Sequence, residues 1–204
     1  MCWSAQVSLE TFITSFIQLI FLYLLDYDIK SIAIVLSFIF IQLLEYFIWT
    51  YIKNKKISRF YSFLTFILIF SQPIIILYFT EYSYLIKYYI ILQFLILIIS
   101  ILFFNLKFNF VPTVSPSKHL VWNWTDNTIY FILFCTVYLL FFLGAIYLTK
   151  NYTMFLFSIL TYLYSMYNYW NDGTLSSMWC WIANIGIYFM LFDAIRKKIY
   201  DKCL

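Results

Sequence analysis

Charge is what this sequence has least of. Of its 204 residues only 11% are Asp, Glu, Lys or Arg, against roughly 25% in an ordinary soluble protein. A disordered chain is excluded, because such chains are polar and poor in aromatics, whereas 65% of this one is hydrophobic and 25% aromatic. A water-soluble monomer is all but excluded, since its surface would consist of Phe, Ile, Leu and Tyr. Glycine and proline occur three times each. Together with abundant Ile, Phe, Tyr, Asn and Lys, that scarcity resembles an AT-rich coding bias and accounts for part of the aromatic excess.

Other absences remove named activities. The single histidine cannot make the HExxH helix of a membrane metalloprotease. Cys2, Cys135, Cys180 and Cys203 form neither a CxxC pair nor a disulfide framework. No Lys lies within 176–195, where a retinal protein needs its Schiff base. No apolar run carries an Arg ladder, and there is no potassium-filter sequence. No internal repeat supports an inverted-repeat transporter. No cleavable leader or lipidation signal is expected from the first residues or from Cys203. The net charge of +4 gathers at Lys53, Lys55, Lys56 and Arg59 and at Arg196, Lys197, Lys198 and Lys202. Both clusters are too short to argue for nucleic acid and read as headgroup anchors.

What is present is a series of apolar runs, at about 7–25, 31–52, 59–79, 83–106, 127–149, 152–170 and 176–195. Each is near 20 residues, the length that crosses a bilayer as a helix. Barrel strands would be about half as long and would alternate in polarity. The expected fold is an all-α integral membrane protein: one domain over 1–204, a bundle of seven transmembrane helices. Pro73 predicts a kink in the third, and 107–126 reads as a polar connector. Seven crossings put the termini on opposite sides. The N-terminal side, side A, then holds the 2–3, 4–5 and 6–7 connections. Lys and Arg divide almost evenly between the sides, and Lys30 after the first helix tips the orientation toward an outside N-terminus. Which membrane the protein occupies is open.

The uncharged polar residues fall on helix faces. Ser4, Ser8, Thr11, Ser15 and Gln18 step by three and four along the first run, as do Gln42, Glu45 and Trp49 along the second. Ser58, Ser62, Thr65 and Gln72 mark the third, Ser158, Thr161, Ser165, Asn168 and Asp172 the sixth, and Ser177, Cys180 and Asn184 the seventh. Facing inward, they either glue helices together or line a hydrated conduit. Glu45 is the one acid well inside a run, and an ionisable residue there is a functional-site candidate by default.

Side A also gathers the reactive residue types. Cys2, Trp3, His119, Trp122, Trp124, Trp179, Cys180 and Asp172 belong there, with Glu45 approaching from the second run. A thiol with a nearby base is a nucleophile design, which makes Cys2, His119 and Glu45 catalytic candidates. Cys2, Cys180 and His119 are candidate metal ligands without a ligand-spacing motif. The plain alternative is an interfacial aromatic belt around a solvated histidine.

Met1-Cys2-Trp3-Ser4, Glu45, Gln72-Pro73, His119 with Trp122, and Trp179-Cys180 together resemble a polytopic membrane family beginning Met-Cys-Trp-Ser, with members in bacteria, algae and large DNA viruses. The resemblance implies that the side A constellation is the family's shared feature and brings no activity with it. Trp122-Asn123-Trp124 stands where the family would have Trp-Asp.

Two functions follow. The leading one is a small channel or transporter for an ion or small solute. Its conduit would be Ser8, Thr11, Ser15, Gln18, Gln42, Glu45, Gln72, Ser165, Asn168, Asp172, Cys180 and Asn184, with Trp3, Trp122, Trp124 and Trp179 at the mouth. The other is a membrane-embedded enzyme or cofactor-binding protein using Cys2, His119 and Glu45, its cofactor unspecified. A receptor-like or assembly scaffold is a third option, and short loops weigh against it. Besides the lipid bilayer, a second copy of the chain is a possible partner.

Overall fold

The computed structural model describes residues 4–104, 107–125 and 128–203. Cys2 and Trp3 lie outside the described residues, as do Asp126 and Asn127. Helices dominate: α1 (Ala5–Leu24), α2 (Ile29–Thr50), α3 (Lys55–Tyr78), a 3-10 turn (Ser83–Leu85), α4 (Ile86–Phe104), α5 (Thr128–Leu148), α6 (Tyr152–Tyr169), α7 (Leu175–Ala183) and α8 (Gly186–Cys203). Four start where a short polar side chain accepts an otherwise unbonded backbone N–H of the first turn. Ser4 accepts from Val7, Asp28 from Ser31, Asn54 from Lys56 and Ile57, and Asn151 from Met154. The Asn54 cap starts α3 four residues before the apolar run, so Lys55, Lys56 and Arg59 are helical. α3 continues through Pro73, which is buried.

Five segments are long and apolar enough to cross a membrane: α1, α2, α3, 129–148 of α5, and the α7–α8 run 175–199. Of the remaining two runs, 83–99 forms a shorter apolar helix, and α6 interleaves Tyr, Ser, Thr and Asn with its apolar residues. The large apolar side chains left exposed, among them Phe21, Phe60, Leu95, Leu140, Leu160 and Phe192, are those a bilayer would cover. These features make the chain an all-helical multi-pass membrane protein.

The interior differs from the expected bundle in two places. The seventh run is not one helix. At 184–187 its backbone bonds shorten to i→i−3, with Asn184 N–H bonded to Trp181 and Ile185 N–H to Ile182, the tighter 3-10 pattern. Asn184 gives its side-chain amide to the Cys180 carbonyl at 2.8 Å, and such local bonds compete with helix continuation. The break separates α7, nearly all buried, from α8, which packs on α1.

The 107–126 connector is not merely a polar loop. Thr113–Val114 (β1) pairs antiparallel with Leu120–Val121 (β2), and Phe108 bridges to Thr125. Pro116 and Ser117 form the tip and Lys118 takes φ +64°. A three-residue hairpin loop needs that left-handed position. The Lys118 N–H bonds the Ser115 carbonyl at 2.9 Å, and Ser115 Oγ accepts the His119 N–H at 3.1 Å. The hairpin folds into the bundle, burying Leu120, Trp122 and Trp124. α1, α2 and α3 pack side by side, α7 fits between α2 and α6, and α3 rests on α5. A main core joins α2, α3, α5, α7 and the hairpin, and a smaller one joins α1, α2 and α8.

Candidate functional site

The polar stripes converge inside. On α2, Gln42 and Glu45 are both 0% exposed. Phe47 stacks on Tyr61 of α3 with ring centroids 4.8 Å apart. That contact sets the register of the helix pair and brings Glu45 and Trp49 level with Ser62 and Ser58, which are buried. α1 contributes buried Ser8 and Ser15. Its Thr11 is half-buried and links to α7, accepting the Trp181 indole N–H at 3.3 Å while giving its own hydroxyl to the Val7 carbonyl. Gln18 is half-buried with its carbonyl oxygen enclosed. On α7, Cys180 is buried and lies within electrostatic reach of Glu45. Farther toward side B, Gln72 accepts a hydrogen bond from the Tyr138 hydroxyl.

Many of these groups find no partner among the described residues. Both polar ends of the Gln42 amide are buried and unbonded, as are the hydroxyls of Ser8, Ser58, Ser62, Ser165 and Thr174 and the indole N–H groups of Trp49, Trp122 and Trp124. Buried polar atoms are otherwise almost always bonded, and each exception costs about 1–3 kcal/mol. Simple gluing would pair them. The side chains that do bond use the helix backbone or one neighbour: Thr65 to Tyr61, Ser37 to Ile34, Ser177 to the Leu120 carbonyl of the hairpin, and Thr161 from Trp179.

The tryptophans do not form an open mouth. Trp122, Trp124 and Trp179 are 2–3% exposed. Trp122 and Trp124 stack at 5.4 Å, and Trp179 meets Tyr138, Phe142 and Tyr162 edge to face. With Cys135, Cys180 and Ser176 they enclose a cavity of about 20 Å³, roughly the space of one water molecule. The hairpin drives these rings inward as a plug. His119, next to them in sequence, is also buried rather than solvated. Its ring meets Tyr169 edge to face at 5.6 Å. Burial pushes the imidazole below its usual range, and the Asp172 carboxylate partly opposes that.

Other expectations fall outside the interior. Asn168 and Asp172 are exposed. The α6 stripe ends at Ser165, after which the chain turns at Trp170–Gly173 toward α7, and Asn168 returns its amide to the Tyr164 carbonyl of its own helix. Among the described residues no three of His, Cys, Asp and Glu form a group able to hold a metal, so Cys180 and His119 gain no third ligand there. Tyr138 and Thr174 carried no periodic signal. α5 is apolar all round, and Thr174 sits in a turn. The Ser115-Pro116-Ser117-Lys118 turn chemistry was the one available clue to the hairpin. Comparison with protein families, curated proteins and solved structures gives no match.

Proposed function

We propose that the protein is a small channel or transporter for an ion or small solute, with the polar interior around Glu45 as its conduit. One observation carries this reading: the fully buried Gln42–Glu45 turn faces serine hydroxyls that bond no described residue. A pathway must offer polar groups to what passes along it, and groups committed to each other cannot do so. Glu45 is the charged determinant. The Trp122–Trp124–Trp179 plug closes side A, and the access step is a movement of the hairpin against α7. All seven runs cross the bilayer in this reading. The 18 residues of α6 rise about 27 Å, close to the hydrocarbon thickness. Lys30 after the first helix favours an outside N-terminus.

Vesicles carrying the purified protein and a trapped pH dye, with an imposed potassium diffusion potential, test it together with planar-bilayer currents. Flux or current is expected from the native chain and at least a tenfold loss from Glu45→Gln. Equal flux in both overturns the reading.

A second reading rests on the Glu45–Cys180 proximity: a membrane-embedded enzyme or cofactor-binding protein. Its thiol and carboxyl sit beside the aromatic cage, with Cys2 and His119 as the further candidates. It requires a bound metal or chromophore in the purified protein. The resemblance to the Met-Cys-Trp-Ser family is compatible with either.

A further inference from the structure

A groove on the opposite flank of the molecule is independent of this pathway. It lies between α4 and α5 with α3 beneath, has a volume of about 350 Å³, and is lined by Leu77, Leu85, Tyr89, Phe141, Gly144 and Leu148 among others. α4 is apolar on every face and leans on α3 rather than along α5. Gly144 opens the groove, since a Cβ placed there would meet nothing within 4 Å. The wall is almost wholly apolar, with one exception. Tyr89 is 9% exposed and packs its ring on Phe141 with centroids 4.2 Å apart, yet its hydroxyl makes no hydrogen bond of acceptable geometry with the described residues. Gln93, one turn on, gives its amide to the Phe70 carbonyl instead.

Depth identifies the occupant. Tyr89 is in the first turn of α4 and Gly144 in the last turn of α5, so both lie about 5–6 Å inside the helix ends at 1.5 Å per residue. Lys87, over the Tyr88 ring at 4.9 Å, and the exposed Lys150–Glu81 pair mark the headgroup level just above. A donor at that depth faces the glycerol ester carbonyls of a phospholipid, and the apolar wall below it faces the acyl chain. The space does not suit a helix of a second copy. Two turns of helix about 10 Å wide need roughly 850 Å³.

We propose that this groove is a binding site for one bilayer phospholipid, its acyl chain lying along Gly144 and its ester carbonyl accepting a hydrogen bond from the Tyr89 hydroxyl. The lipid fills the gap that α4 leaves beside α5 and couples α4 to the bundle.

The test is native mass spectrometry of the full chain extracted from vesicles of phosphatidylethanolamine and phosphatidylglycerol. One retained phospholipid per chain is expected. Gly144→Leu should lower its occupancy at least tenfold, because the side chain enters the acyl path. Tyr89→Phe should lower it about three- to tenfold, the worth of one hydrogen bond. Leu163→Trp, on the exposed face of α6, should leave it unchanged. A phospholipid with a photoreactive acyl chain keeps the test decisive if Gly144→Leu fails to fold, and its adducts should map to 141–148. Equal occupancy in all variants, adducts spread over the exposed helices, a retained sterol instead of phospholipid, or dimers without lipid would each overturn the proposal. Glu45→Gln should not change the occupancy, so this result stands or falls apart from the flux measurement.

Discussion

The α1–α2–α3–α7 interior and the α4–α5 flank use the same small alphabet of residues in opposite ways. The interior holds Gln42, Glu45, Ser58, Ser62 and Cys180 at 2% exposure or less, and its helices touch along their lengths. The flank is apolar on all sides, packs sparsely, and keeps one buried hydroxyl at Tyr89. In hydrocarbon, apolar side chains gain little by leaving lipid for protein, whereas polar ones must be gathered. Close packing therefore follows the polar stripes, and the helices without a stripe drift outward and leave space that lipid fills.

The contrast can be broken experimentally. The largest structural effect should come from Trp122→Ala, which removes the hairpin's main contact with the interior. A loss of about 3–5 kcal/mol is expected, as for other large core aromatics cut to alanine, read by denaturant titration in micelles. A loss below about 1 kcal/mol would mean that the hairpin rests on the bundle without holding it. Gln42→Leu should separate packing from function. Replacing an unbonded buried amide with an apolar group of similar size should change stability by less than about 1.5 kcal/mol, in either direction. Flux in the vesicle assay should nonetheless fall at least tenfold. If both stay at native level, the stripe is packing alone.

The smallest effect concerns pH. Burial lowers the His119 pKa in the folded protein. Once the pH drops below the ordinary histidine value near 6.5, the unfolded chain binds the extra proton more readily than the folded one. The stabilisation is full above that value and is lost as the pH falls toward the folded pKa. Melting in micelles should therefore drop between pH 7.5 and 5.5 more for the native chain than for His119→Gln. Parallel melting curves would mean that His119 is not buried neutral.

Much of the site is legible in the residue pattern. Ser8, Ser15, Gln42, Glu45, Ser165 and Asn184 sit on single helix faces, and a polar group in an apolar helix has only one place to go. The same rule fails at the ends of helices. Asn168 and Asp172 extend the α6 stripe in sequence but emerge where the chain turns, because periodicity carries no record of where a helix leaves the interior. The tryptophans mislead in the other direction. Near a span end they read as an interfacial belt, and a two-stranded hairpin carries Trp122 and Trp124 inward instead.

Sequence alone determined the class of the protein and the course of most helices, because hydrocarbon admits little except apolar helices with satisfied backbones. Four of the caps and the burial of the stripes follow from that local chemistry. Only the tertiary structure decided that the seventh run breaks at Asn184, that the hairpin plugs side A, that Cys180 reaches Glu45, and that α4 stands off from α5. Each depends on which neighbour occupies the space beside a residue. That is set by contacts between segments far apart in the chain, and no pattern within one segment encodes it.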